Sequence, residues 1–354
     1  MSINKKRGLL VASVVAASFS LLLAGCATSS PEPEAPAAES PGAADCSPLQ
    51  GKTISLVVPF STGGGYDTFA RLIAPALGKA LDATVIVKNQ PGAGGLVAIN
   101  GIVHAKPDGT QIAIMNGAGA AASILGGAAG ADFGFDDLSY IGRVGAENTI
   151  LAGATDGKYK TWDDVLASDG FRFGSTGPGA SDYVMPSILM EAFGLKNAKI
   201  ITGFPGQAES ALALLQGNVD GVTGPADTRR PALVSGDNVA LLSITMEPNE
   251  EALDAAYVGQ LTMDDRQKML LTSHIRVNEL GRPLVAPPKI VPATLECLRG
   301  AYDTAAHDSD VLAQAAAQHR PIAYVSGADV ENKIVKDIKN LPEEYLTVLR
   351  AAFK

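Results

Sequence analysis

Short apolar runs alternate along this chain with stretches in which apolar residues recur at helical spacing, and clusters of glycine mark the joins. Thr53 to Pro59 is one such run, rich in β-branched residues, and predicts a buried strand. Phe69, Leu72, Ile73, Ala76, Leu77, Ala80 and Leu81 then share one face of a helix. Thr84 to Lys88 predicts a second strand, Leu96, Ile99 and Val103 a second helix, and Gln111 to Met115 a third strand after the turn at Lys106-Pro107-Asp108-Gly109-Thr110. Gly117 to Gly130 reads as a loose stretch of glycine and alanine. Further strands are expected at Tyr140 to Val144, Thr149 to Leu151, Phe171 to Ser175 and Lys199 to Thr202. Thr161-Trp162-Asp163-Asp164 has the form of a capped helix start. A helix ending at Phe193 is closed by Gly194, with Pro186 expected to kink or shorten it, and another spans Gln207 to Gln216. Residues 246–282 yield no topology. Pro283 to Pro287 predicts a returning strand, followed by helices at 292–305, 311–318, 330–339 and 342–353.

Strand and helix in alternation predict an α/β fold of mostly parallel sheets flanked by helices, with right-handed crossovers. The two sets of units predict two domains, one from residues 52–148 plus 283–354 and the other from 149–282.

Two of the joins between strand and helix stand out. Ser61-Thr62-Gly63-Gly64-Gly65-Tyr66-Asp67 and Ser175-Thr176-Gly177-Pro178-Gly179-Ala180-Ser181 are nearly bare backbone, each after a predicted strand and before a predicted helix. Glycine lets N–H groups approach a ligand closely, and the helix start adds a partial positive charge, so each loop can cradle an anion without lysine or arginine. The plain alternative for either loop alone is a turn. Tyr183, Asn116, Phe204 and Gly206, all near strand ends or helix starts, complete the candidate ligand-binding set. Tyr66 and Tyr183 favour an anion that carries a ring or a hydroxyl.

The charge and the N-terminus change the picture further. Lys5, Lys6 and Arg7 followed by an apolar run from Leu9 to Leu23 form an export signal too short to be a comfortable membrane span. Leu23-Ala24-Gly25-Cys26 has the form of a bacterial lipobox, which makes Cys26 the lipidated N-terminus once residues 1–25 are removed. Ala, Ser, Pro and Glu dominate the next stretch, so residues 26–51 are expected to tether the folded part outside the cytoplasm. Loss of the leader removes three of the 28 basic residues and none of the 37 acidic ones, leaving a net charge of −12. That balance argues against nucleic acid as a partner. Cys46 and Cys297 remain in an oxidising compartment, available for a disulfide; two unpaired thiols stay open as the alternative, because sequence does not place their Cα atoms.

Taken together the motifs resemble the periplasmic receptors of tripartite tricarboxylate transporters, the Bug family. The resemblance rests on Val58-Pro59-Phe60-x-x-Gly63-Gly64-x-x-Asp67-x-x-Ala70-Arg71, Val87 to Gly95, Lys106 to Thr110, Ser175-Thr176-Gly177-x-Gly179, and the segment from Phe204-Pro205-Gly206 to Val219-Asp220. It implies a two-domain Venus flytrap that captures a small organic carboxylate, held by backbone amides and water from the two glycine loops, and hands it to membrane permease subunits. Asp67 would order a water or an amide there. Thr62, Tyr66, Tyr183 and Gly224-Pro225 depart from the family pattern, and so does a lipid anchor, which leaves the ligand open.

An enzyme is a poorer fit. The chain has no Gly-x-Ser-x-Gly elbow, His-Glu-x-x-His or P-loop, and His104, His274, His307 and His319 show no ligand spacing, so neither metal nor cofactor is expected. Trp162 is expected to pack. A receptor for an ABC importer shares the flytrap and the anchor and is the remaining rival.

Overall fold

The computed structural model describes residues 45–252 and 254–354; the export signal, Cys26 and the tether up to residue 44 lie outside the described residues. Among the described residues eleven strands run in chain order: β1 Thr53–Val58, β2 Thr84–Asn89, β3 Gln111–Ile114, β4 Ser139–Gly145, β5 Thr149–Ala154, β6 Arg172–Gly174, β7 Lys199–Ile201, β8 Gly221–Pro225, β9 Asn238–Ser243, β10 Arg282–Ala286 and β11 Val325–Ser326. They form a six-stranded sheet ordered β11-β4-β10-β3-β1-β2 and a five-stranded sheet ordered β7-β6-β8-β5-β9. We refer to these as the first and second lobe.

Each sheet is mixed. β1 pairs in parallel with β2 and β3, and β6 with β7 and β8, which are the strand–helix units read from the sequence. The antiparallel pairs gather where the chain crosses between lobes: β4 leaves the first sheet, β5 enters the second, and β10 returns between β3 and β4.

β1 is buried from Ile54 to Val58 because both edges are paired and both faces are covered. On one face Leu56, Phe69, Ile73, Leu77, Ile114, Leu284 and Leu298 form the core beneath helices Gly65–Leu81 and Pro292–Ala306. On the other face Val57, Ala113 and Val285 belong to an apolar cluster that continues into the second lobe through Val184, Ile188, Leu270 and Leu349. Four helices carry that continuity: Gly117–Gly126, Ser181–Phe193, Asp265–Asn278 and Glu343–Ala352. The C-terminal helix packs on both lobes. Trp162 packs edge-on to Phe193, and His274, buried on helix Asp265–Asn278, bonds the Tyr345 hydroxyl at 2.9 Å.

Three expectations change. Gly117 to Gly126 is a helix and not a loose stretch: the Asn116 side chain caps it by accepting from Gly119 N–H, and Gly127 closes it in the left-handed region. Pro186 does not shorten its helix, which runs thirteen residues; the Asp182 carbonyl that a residue-186 N–H would take faces the Thr223 hydroxyl, 3.5 Å away. The tether expected through residue 51 stops sooner, since Leu49 is fully buried, Gly51 N–H bonds Asp82 O, and Cys46 is disulfide-bonded to Cys297 across 251 residues of sequence. Closing a loop of that length is worth about 5 kcal/mol on the chain-entropy account.

Candidate functional site

The ends of β1, β2, β6 and β7 that lead into helices all face the gap between the lobes. A cavity of about 290 Å³ opens there, lined by Phe60, Pro91, Gly92, Ala93 and Gly94 of the first lobe and by Thr176, Gly203, Phe204 and Pro205 of the second. None of these side chains is ionisable. The lining instead leads into the starts of helices Leu96–Val103, Ser181–Phe193 and Gln207–Leu215, whose first N–H groups have no partner within the helix. A neutral cavity bracketed by helix starts suits a small anion better than a cation.

Each glycine loop is held in shape by an aspartate from the first turn of the helix it opens. In the first, Asp67 accepts from Gly63 N–H at 2.8 Å, from Asn89 Nδ2 at 3.0 Å and from Arg71 Nε at 3.0 Å, while Asn89 also reaches Phe60 O. Burial pushes this carboxyl up, but the hydrogen bonds from Arg71, Gly63 and Asn89 outweigh it and hold the group below its ordinary value. In the second, Asp182 accepts from Thr176 N–H at 3.1 Å, from Thr176 Oγ1 at 2.9 Å and from Ser175 Oγ at 3.0 Å. Complete burial dominates there and raises Asp182 to about 6 despite those bonds. Arg229, also buried, shares its neighbourhood and is brought down to about 10.

The expected ligand residues divide by where their groups point. Thr176 and Phe204 line the cavity. Ser61 donates across the gap to Glu209 at 3.3 Å and lies against Gly206. Gly64 and Gly65 start the first helix, Gly65 close to the Thr228 hydroxyl. Thr62 bonds the Asn89 side chain. Gly177, Gly179, Ala180 and Ser181 form the second loop, and its backbone lies directly on Gly94 and Gly119, where a Cβ on Gly94 would come within 2.5 Å of Ala180 N. Asn116 serves as the cap of its own helix. Tyr66 and Tyr183 leave the set. Tyr66 is buried with its hydroxyl on Glu147 and its ring on Phe60, and Tyr183 donates to Ala352 O at 2.9 Å and stacks on Phe353. The preference for a ring or hydroxy acid loses its basis with them. Asp67 orders an amide, that of Gly63.

Sequence reasoning left out Phe60, Pro91 to Gly94, Gly203 and Pro205. Pro91-Gly92-Ala93-Gly94-Gly95 carried the needed signal, since it too joins a strand to a helix. A second and larger cavity, about 650 Å³, lies by the crossover strands and is lined by Glu147, Asp227, Glu247, Glu250, Glu251 and Glu279 against Arg143 and Arg282. Its excess of acids disfavours a carboxylate.

Comparison with known proteins narrows the reading. Residues 69–315 match the family described as tripartite tricarboxylate transporter family receptor. A UPF0065 protein of Agrobacterium vitis is 28% identical over 173 residues, which is 47% of this chain and 49% of that protein, and one of Bordetella pertussis is 29% identical over 176 residues, 48% and 53%. The chain thus spans about half the length of the curated relatives it matches. Among solved structures, the periplasmic binding protein BugD superposes with a TM-score of 0.70 at 19% identity, covering 85% of this chain and 97% of that one. MatC from Rhodopseudomonas palustris, with bound malate, gives 0.68 at 20% identity, covering 86% and 99%. Another R. palustris protein, with adipate, gives 0.69 at 16% identity, covering 84% and 97%. At these identities the superpositions speak for the fold.

Proposed function

The chain belongs to the tripartite tricarboxylate transporter receptor family, and we propose that it captures a small organic carboxylate between its lobes and delivers it to the membrane permease of such a transporter. Members of this family are solute-binding receptors and not enzymes. The observation that carries the proposal is the neutral cavity between the lobes, lined by Phe60, Pro91 to Gly94, Thr176 and Gly203 to Pro205 and bracketed by helix starts. An anion placed there gains N–H donors and helix-dipole charge without a salt bridge. Malate and adipate in two structures of the same fold support a carboxylate as the solute class.

In this reading the ligand meets the cavity lining, Phe60, Pro91 to Gly94, Thr176 and Gly203 to Pro205, while the loops Ser61 to Gly65 and Ser175 to Ser181 frame it and Asp67 and Asp182 hold those loops in shape. The lobes correspond to residues 52–148 with 283–354 and to 149–282, save that Arg282 opens β10 and so goes with the first lobe, and closure of one on the other sequesters the solute. Cys26, processed and diacylated, tethers the receptor on the extracytoplasmic side through residues 27–45; two acyl chains suffice for stable attachment. Cys26→Ala then leaves the protein unprocessed or released from membranes, and finding the unmodified parent protein soluble in the envelope would overturn the anchor.

A thermal-shift screen of the exported protein against mono-, di- and tricarboxylates tests the binding reading. A true ligand at about a hundred times its dissociation constant adds about 2.7 kcal/mol of stability. Stabilisation by amines or neutral sugars, with none by any carboxylate, would sink the proposal.

A further inference from the structure

Where helix Gly65–Leu81 meets the crossover strands, two first-lobe arginines converge on one second-lobe carboxylate. Arg282 opens β10 and is 1% exposed; its Nη2 donates to Asp227 Oδ1 at 2.9 Å and its Nη1 to Ala146 O at 2.8 Å. Arg320, which follows helix Ser309–Ala317, reaches Asp227 Oδ2 and Thr228 Oγ1 at 3.4 and 3.3 Å. Asp227 and Thr228 begin helix Ala226–Ser235 of the second lobe, the same Thr228 that lies against Gly65 at the start of the first helix. The guanidinium of Arg282 lies over two aromatic rings, 4.7 Å from the Phe69 centroid and 5.4 Å from that of Tyr66. Gly145 leaves the space it needs: a Cβ there would come within 2.8 Å of Nη1.

We infer that Asp227 is the latch of the closed receptor, joining the second lobe to Arg282 and Arg320 of the first and thereby setting the ratio of open to closed molecules. The reasoning is electrostatic. A buried guanidinium stripped of water requires a carboxylate, and separation of the lobes withdraws Asp227 while Phe69, Tyr66 and Ala146 O stay with Arg282. Glu147, the other carboxylate nearby, lies on the crossover and is bonded to Tyr66, so it stays on the first-lobe side. Opening therefore leaves Arg282 short of one partner, and the closed state is favoured by the difference. Asp227 in this view is a positioning residue: it touches no ligand and acts on affinity through the closed population.

The inference rests on the reading that two lobes close on a solute, but its test needs no ligand, so the failure of either can be told from the failure of the other. Small-angle scattering and a pair of surface labels, one per lobe, measure the interlobe separation in the exported protein without ligand. Asp227→Asn is expected to increase that separation, with at least a roughly tenfold rise in the open-to-closed ratio, and Asp227→Glu to restore it in large part. Arg320→Gln, removing the longer contact, gives a smaller opening in the same direction. Should Asp227→Asn fail to fold, Asp227→Asn/Arg282→Gln removes both charges together and is expected to open as far. A purely structural role would lower the melting temperature and leave the separation where it was. An unchanged separation in every folded variant overturns the latch.

Discussion

The two glycine loops are built alike and tuned differently. Each follows a strand, opens a helix, and is fastened by an aspartate in that helix's first turn, Asp67 in one and Asp182 in the other. Asp67 has a cation beside it, since Arg71 sits one turn along the helix with its outer half in solvent. Asp182 has only hydroxyls and one amide as direct donors, and it is as buried as Asp67, each being 2% exposed. The same device is therefore a persistent charge in the first lobe and a group poised near neutral in the second. The partner decides the difference, because desolvation penalises both carboxylates, and the Arg71 guanidinium offsets that penalty for Asp67 where hydroxyls do so only in part for Asp182.

Removing the second fastener is expected to have the largest effect. Asp182→Ala strands Thr176 N–H and the hydroxyls of Ser175 and Thr176 in a buried site and leaves buried Arg229 without its nearby charge, a loss of about 3 to 5 kcal/mol. Denaturant titration would measure it. A change below about 1 kcal/mol would show that the loop holds its shape without Asp182. Asp67→Ala, next in size, is expected to cost about 1 to 3 kcal/mol, because Arg71 and Asn89 both reach solvent and can be rehydrated.

The pH dependence of stability sharpens the comparison, because the two groups have opposite sign. Asp182 at about 6, and with it Glu147 at about 7, hold their protons more tightly folded than unfolded. Their contribution is full below the ordinary carboxylate range and is lost as pH rises through those values. Asp67, held below its ordinary value, contributes above that value and loses the contribution as pH falls through it. Stability is therefore expected to decline from about pH 4 to about pH 7, and Asp182→Asn to flatten the lower part of that slope; an unaltered slope in this variant would remove Asp182 from the account.

Glycines in the two loops provide the smallest effect and its contrast. Gly64 has an ordinary extended backbone, φ −74° and ψ 172°, and a Cβ there meets only Ser61 O at 3.6 Å, so Gly64→Ala is expected to stay within about 0.5 kcal/mol of the parent. Gly179 has φ +99° and faces Leu96 at 2.6 Å, so Gly179→Ala strains the backbone by about 1 to 2 kcal/mol and pushes the lobes apart. Calorimetry with a ligand found in the screen should show weakened binding for Gly179→Ala alone. Equal loss in both would mean that exposed amides, and not the contact between lobes, set affinity.

Much of this architecture is legible in the chain itself. The strand–helix units, the Thr161 cap, the Gly194 stop and the two glycine loops all rest on local chemistry: side-chain period, capping donors and backbone freedom. Helix Gly117–Gly126 is not legible there because glycine and alanine carry little amphipathic signal. Its small residues matter through what packs on them, Ala180 on Gly119 and Phe353 on Gly126. Tyr66 and Tyr183 mislead for a related reason. Both fall in the first turn of a helix beside a loop, and sequence spacing does not say which side of that turn faces the cleft.

By itself, then, the sequence determined the elements, the order in which they alternate and the positions where bare backbone meets a helix start, since each depends on neighbours a few residues away. Only the tertiary structure decided that Cys46 bonds Cys297, that Asp67 and Asp182 fasten loops, that Pro91 to Gly94 line the cavity, and that Asp227 answers Arg282 from the other lobe. Those depend on which groups lose water together. Desolvation is a property of the packed molecule, and residues far apart in the chain set it.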